Sequence, residues 1–252
     1  MTVSPRLTRT ALLIGEDGVQ TLQNATVMII GVGAVGGYAL EAIARAGVGH
    51  ILLVDFDCFD ESNINRQILA LTSTVGRKKV EVAKERVLEI NPDCQVEIFD
   101  LFVNTDTLPD LLSHKADMVI DAIDSLNAKC CLIEELVKRG IPFISSMGAA
   151  LRQDPSRIKL STLDKTKNCG LSRLLRQRLR RRGVDIKQIK CVYSDEIALK
   201  SAVSVNEGQR ATLGTHPTLE TRPTLGSLPT ITAIFGLTIA NEAIKTLIHK
   251  GH

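Results

Sequence analysis

Tryptophan is absent from this chain, and all aromatics together make up only 3% of its 252 residues. That scarcity argues against a sandwich or barrel built on aromatic pairs, and against a base-stacking platform for single-stranded nucleic acid. No two of the six cysteines (Cys58, Cys94, Cys130, Cys131, Cys169 and Cys191) stand at the C-x-x-C spacing of a zinc site. A chain of this length needs no disulfide staples, so a reducing, cytoplasmic compartment is the simplest expectation. None of the five histidines stands in a pattern that suggests a triad or a metal site. No uninterrupted apolar run approaches a membrane span, and Met1-Thr2-Val3-Ser4-Pro5-Arg6 lacks the apolar centre of a secretory signal. The net charge of +3 is too small to imply a nucleic-acid partner by itself.

What is present is a hydrophobic share of 44% arranged in short runs. Residues 6–23 read as an amphipathic helix, broken near Gly15 and Gly18. Thr26–Ile30 and Ile51–Val54 read as buried strands, with a helix over 34–46 between them. A charged helix over 74–90 follows, then strands at 95–99, 117–121 and 141–145 separated by helices at 105–113 and 125–139. Strands alternating with helices predict an α/β fold, a Rossmann-like and mostly parallel sheet with helices on both faces. Ile158-Lys159-Leu160 is a further candidate strand, and 171–182 a helix wrapped in arginine. Residues 201–228 are rich in Thr, Gly, Pro and Ser and read as a mobile loop or lid, before an apolar helix from Pro229 to about Lys250. The expected organisation is one large domain. Residues 1–165 form its nucleotide-binding part; 166–252 supply the basic helix, the loop and a packing helix.

Gly31-Val32-Gly33-Ala34-Val35-Gly36 follows the first strand and opens a helix. Gly31 permits the tight turn, Gly33 admits phosphate to the backbone, and Gly36 allows close helix packing. The helix N-terminus adds unpaired N–H groups and a positive dipole end. Asp55 ends the next strand, 19 residues after Gly36, placed to accept ribose hydroxyls. Nicotinamide enzymes share this fingerprint, so the remaining residues decide the nucleotide. Arg66 and Asp124 fall near the carboxyl ends of strands, Asn63 precedes Arg66 by three residues and Lys79 stands early in the charged helix, a set that suits ATP with magnesium better than a dinucleotide. Each also has a plainer reading: Arg66 and Lys79 as surface charges, Asp124 as an N-cap for the helix at 125–139.

These residues resemble the ThiF/MoeB/HesA group of ubiquitin-activating-like adenylating enzymes. The resemblance covers roughly residues 6–150, through Arg6-Leu7-Thr8-Arg9, the glycine loop and Asp55-Phe56-Asp57. It continues in Ser62-Asn63-Ile64-Asn65-Arg66-Gln67, Val75–Glu81, Ile90-Asn91-Pro92 and Asp121-Ala122-Ile123-Asp124. It implies that Asp55 and Asp57 belong to the ribose side of an ATP site, that Arg66 and Lys79 hold phosphates, and that Asp124 holds the magnesium-bound end. It also implies a homodimer in which Arg9 reaches into the neighbouring subunit's site.

Without paired zinc motifs, the second half differs from the sulfur-carrier and molybdopterin branches. Asp164-Lys165-Thr166, Cys191–Glu196 and Leu225-Gly226-Ser227 resemble the tRNA threonylcarbamoyladenosine dehydratase branch; 205–224 lies outside the resemblance. Arg173, Arg176, Arg178, Arg180, Arg181 and Arg182 put six guanidinium groups into ten residues. Arginine forks suit phosphates and stack on bases, so Arg173, Arg176, Arg180 and Arg181 are candidate tRNA contacts, with a solvated helix face as the alternative. Cys191 is a candidate relay thiol, though a buried packing role is the commoner one for such a cysteine. The partners expected are tRNA, a second copy of the chain, and a sulfur-transfer or other accessory protein. The rival functions are activation of a ubiquitin-like or sulfur-carrier protein, a non-catalytic nucleotide-binding scaffold and, more distantly, a dehydrogenase.

Overall fold

The computed structural model describes residues 3–199, 203–204 and 224–249. Most of the loop expected at 201–228 lies outside the described residues. Its described ends, Val203–Ser204 and Thr224–Leu225, pair as two antiparallel strands.

A short 3-10 turn at Pro5–Leu7 leads into helix α1 (Thr8–Asn24). The break expected in this helix falls at Gly15, whose φ of 78° and ψ of 164° leave the helical region, whereas Gly18 stays helical. Strands β1 (Thr26–Ile30) and β2 (His50–Val54) flank helix α2 (Gly36–Arg45). Helix α3 (Lys79–Ile90) starts five residues later than the charge pattern predicts. The intervening chain turns at Gly76, whose φ of 84° a helix cannot hold, and Thr74 stitches that turn to Leu69 and Leu71. Strand β3 (Gln95–Phe99), the short helix α4 (Leu108–Leu111), β4 (Met118–Asp121), α5 (Leu126–Arg139) and β5 (Phe143–Ser146) follow. Then come β6 (Ile158–Thr162), the arginine helix α6 (Gly170–Arg181), β7 (Lys190–Ser194) and α7 (Pro229–His249). Strand β7 carries no periodicity that marks it in the sequence.

The seven-stranded sheet runs β3-β2-β1-β4-β5-β7-β6, parallel except for β6, which pairs antiparallel with β7. From β1 the chain crosses first to β2 and β3, then back to β4 and β5 on the other side. The order therefore reverses between β1 and β4, and the crevice outside their carboxyl ends is where such sheets take ligands.

Helix α7 has 21 residues and is long and apolar enough to cross a membrane by length and composition, although Asn241, Glu242 and Lys245 interrupt its apolar run. Here Ile231, Phe235, Ile239, Ala240, Ala243 and Leu247 are buried in one cluster with Ile29 of β1, Ala39 and Ile43 of α2, and Val192 of β7. Gly236 makes the contact with α2 possible, since a Cβ there would lie 2.4 Å from the Val35 carbonyl oxygen. One face of this helix is a wall of the core.

Candidate functional site

Loops leaving β1, β2 and β4 meet at the reversal point. Gly31 takes φ 91°, and a Cβ there would fall 2.9 Å from the Ala122 carbonyl oxygen, so only glycine lets the loops after β1 and β4 touch. A Cβ at Gly36 would lie 1.8 Å from the Gly31 carbonyl oxygen. Gly33 differs. The nearest atoms to its Cβ position belong to Gln67, at an ordinary 3.7 Å, so nothing inside the chain demands a glycine there. What the missing side chain leaves is backbone open to a ligand. The first turn of α2 follows with no side chain capping it; the Gly37 N–H donates to the Gly33 carbonyl at 2.9 Å, and the positive end of the helix faces this loop.

Asp55 anchors this loop through its two oxygens. One accepts the Val32 N–H at 2.7 Å and the other the Asp57 N–H at 3.0 Å. Burial pushes the Asp55 carboxyl up from its ordinary value, while the Lys79 charge and the two N–H groups pull it back. Lys79, the first residue of α3, has a side chain only 7% exposed and pairs with the Asp57 carboxylate at 2.9 Å. Arg66 folds back on its own loop, donating to the Ser62 carbonyl at 2.9 Å and Asn65 Oδ1 at 2.8 Å. Asn63 shares a reciprocal cap with Asp60. Asp124 is exposed just past β4 and, among the described residues, accepts no hydrogen bond. The cap position of α5 belongs to Ser125, so the plainer reading of Asp124 is not what its geometry supports.

Two features escaped the sequence reading. Gln67 is buried beside Gly33 with its Oε1 unpartnered among the described residues. Behind Asp124, Asp121 and Lys129 form a fully buried ion pair at 2.7 Å, closed by the Ser145 hydroxyl at 2.6 Å from Asp121. The second oxygen of Asp121 accepts the Ile123 N–H at 3.1 Å and so sets the turn that presents Asp124. Lys129 lies one helical turn into α5, and spacing alone gave no reason to single it out.

Arg9 lies elsewhere. Leu7, two residues before it, packs on Gly47 beyond the far end of α2, where a Cβ would come within 2.7 Å of the leucine. A ten-residue helix is about 15 Å long, so Arg9 stands a helix length from the glycine loop of its own chain. A cavity of about 620 Å³ on this far edge is lined by Arg6, Arg45, Arg86 and Glu89 and includes none of the nucleotide residues.

The arginine helix is sorted by its partners. Arg176 is half-buried and donates to the Thr166 carbonyl at 2.8 Å and to the Thr166 hydroxyl, which corrects its place among the free cations. Arg178 reaches Asn127 in the first turn of α5, and Arg182 pairs with Glu134. Arg173, Arg180 and Arg181 are exposed, and with Gln177 their three- and four-residue spacings share one face. Leu175 and Leu179 are fully buried, while Leu174 is 38% exposed and does not belong to the packed stripe. Cys191 is fully buried in β7, and burial pushes its thiol up to about 12, far from the range of a reactive thiolate.

Comparison with known proteins agrees with this geometry. The ThiF family model matches residues 7–252. The tRNA threonylcarbamoyladenosine dehydratase of Bacillus subtilis (strain 168) is 42% identical over 209 residues, spanning 83% of this chain and 80% of that protein. The Escherichia coli (strain K12) enzyme of the same name is 35% identical over 248 residues, 96% of this chain and 92% of that one. The crystal structure of the E. coli dehydratase in complex with ATP superposes with a TM-score of 0.88 at 33% identity, covering all of this chain and 98% of the other. With a family model that spans residues 7–252 and relatives that match over most of their length, the chain belongs to the ThiF family.

Proposed function

We propose that the protein is an ATP-dependent tRNA threonylcarbamoyladenosine dehydratase acting in the cytoplasm as a homodimer. The observation that carries the reading is the meeting of the loops after β1, β2 and β4. It puts an open glycine backbone, Asp55, the Lys79–Asp57 pair and Asp124 on one sheet edge. The relatives named for this activity span nearly the whole chain and supply the substrate class.

In this reading the side-chain carboxylate of the modified adenosine attacks the α-phosphate of ATP and pyrophosphate leaves. The glycine-loop N–H groups, Arg66 and Lys79 stabilise the charge that develops. Lys79 exchanges Asp57 for phosphate oxygens, and Arg66 leaves its own loop carbonyl. Asp124, exposed and without a hydrogen-bond partner among the described residues, would hold a magnesium ion, which would supply neutralising charge for the phosphates. A nucleophile within the same side chain then closes a ring and expels AMP, with net loss of water. Because this nucleophile is tethered, the step needs positioning more than an enzyme thiol, in keeping with a buried Cys191.

Arg9, remote from its own glycine loop, acts across the dimer. Leu12 and Leu13, 84% and 86% exposed on the same stretch of α1, are the apolar surface that a second copy covers. The deciding experiment incubates the protein with ATP and tRNA that carries or lacks the threonylcarbamoyl group, following AMP and the nucleoside mass. AMP release that depends on the modification, with loss of one water from the nucleoside, is expected. Turnover only in the presence of a small protein ending in Gly-Gly would favour the carrier-activating rival.

A further inference from the structure

We propose that Arg152 is the seat of the substrate carboxylate, the group that is adenylated; the assignment rests on the dehydratase reading. Arg152 is 4% exposed, and two of its nitrogens, Nε and Nη1, have no hydrogen-bond partner among the described residues. Among the described residues it makes one hydrogen bond, from Nη2 to the Asn168 carbonyl at 2.6 Å. No carboxylate pairs with it among the described residues. A guanidinium cannot shed its charge, and a buried one with idle donors is a standing energetic cost unless an anion completes it.

The backbone around it is strained in the same place. Leu151, the preceding residue, has φ 63°, and Asn168, which accepts its one bond, has φ 55°. These are the two non-glycine residues with positive φ among the described residues, and a leucine there is a true outlier. Strain of this kind persists where the surrounding structure holds a site in shape.

The location fits the reaction. The Leu151 N–H donates to the Gly226 carbonyl at 2.9 Å, and the next residue, Ser227, accepts from the Asn65 amide at 3.3 Å. One peptide step thus ties the Arg152 turn to the loop carrying Arg66. On its other side, Asn168 leads into Cys169, the N-cap of α6, a twelve-residue helix whose positive end adds to the attraction for an anion. The ATP phosphates have their own cradle at the glycine loop, so the anion left for Arg152 is one that the tRNA brings. The carboxylate is that group; a backbone phosphate of the tRNA shares its chemistry and is the competing source.

The test compares the parent with Arg152→Gln, Arg152→Lys and Arg152→Met, each as the full chain. It measures binding of tRNA with and without the threonylcarbamoyl group, the KM for ATP, AMP release on modified tRNA and on the free modified nucleoside, and the melting temperature. The Gln and Met variants should weaken binding of modified tRNA by about tenfold to a hundredfold. Binding of unmodified tRNA and the KM for ATP should stay at parental values, and Lys should recover part of the loss. Arg152→Met should melt no lower than the parent, because it removes an unpartnered buried charge. Equal weakening on both tRNAs would identify a phosphate contact and overturn the assignment. So would parental turnover with a lowered melting temperature, the mark of a purely structural arginine. A parent that releases no AMP on modified tRNA overturns the dehydratase reading and this assignment with it. A parent that turns over beside an equally active Gln variant overturns this assignment alone.

Discussion

Lys79 pairs with Asp57 at 2.9 Å and is almost wholly shielded from water. In the proposed site this pairing would orient the ammonium group for phosphate, giving Asp57 a positioning role. Lys79→Ala should cost on the order of a hundredfold in AMP release, because it removes charge stabilisation in the transition state. Asp124→Asn should abolish turnover at an unchanged melting temperature, since the cap of α5 belongs to Ser125. Near-parental AMP release from both variants would remove these residues from the site. Cys191 has the opposite expectation. With its thiol pushed up to about 12, Cys191→Ala should keep turnover within a few-fold of the parent, and native protein should leave this thiol unlabelled by iodoacetamide at neutral pH. Loss of turnover in a Cys191→Ala protein that melts normally would restore the relay role.

The arginine helix separates what a sequence can and cannot declare. Composition put six guanidinium groups in ten residues, but which of them point outward depends on the partners that α5 and the Thr166 turn supply. Arg173, Arg180 and Arg181 face solvent, while Arg176 closes off carbonyls beneath the helix. Replacing those three exposed arginines by Gln should flatten the log–log salt dependence of tRNA binding by up to about two units, one neutralised phosphate at a time. ATP affinity should hold. Arg176→Gln should instead lower the melting temperature, and an unchanged salt slope in the triple variant would make these arginines a solvated face. Other elements divide along similar lines. Thr26–Ile30 was read residue for residue, because a central parallel strand is an apolar run bounded by its loop. Lys190–Ser194 was missed, because its burial comes from β5, β6 and α6 and its own sequence is mixed. The candidate residues Asp55 and Asp124 are legible as acids because each lies just past a strand that is itself an apolar run. The Asp121–Lys129–Ser145 network was not, since it joins two strands and a helix that only the fold brings together.

At the scale of the molecule, the unanswered geometry is Arg9. Its segment is pinned by Leu7 to Gly47, at the opposite end of α2 from the glycine loop, and a side chain cannot bridge that length. Its neighbours Leu12 and Leu13 are nearly bare, as apolar residues on a contact surface are before the partner is counted. The two-fold dimer proposed above would resolve both, covering the leucines and delivering each Arg9 to the other subunit's site. Leu12→Asp with Leu13→Asp should therefore yield monomers in sedimentation, with little AMP release. The sharper test is complementation. Arg9→Ala and Lys79→Ala should each retain no more than about a hundredth of parental AMP release alone, for one lacks the arm and the other the clamp. Mixed in equal amounts and allowed to exchange subunits, they form mixed dimers in which one site has both residues and the other has neither. Random pairing makes half the dimers mixed, so AMP release should recover to about a quarter of the parental value. No recovery after verified exchange would show that Arg9 does not act across the interface.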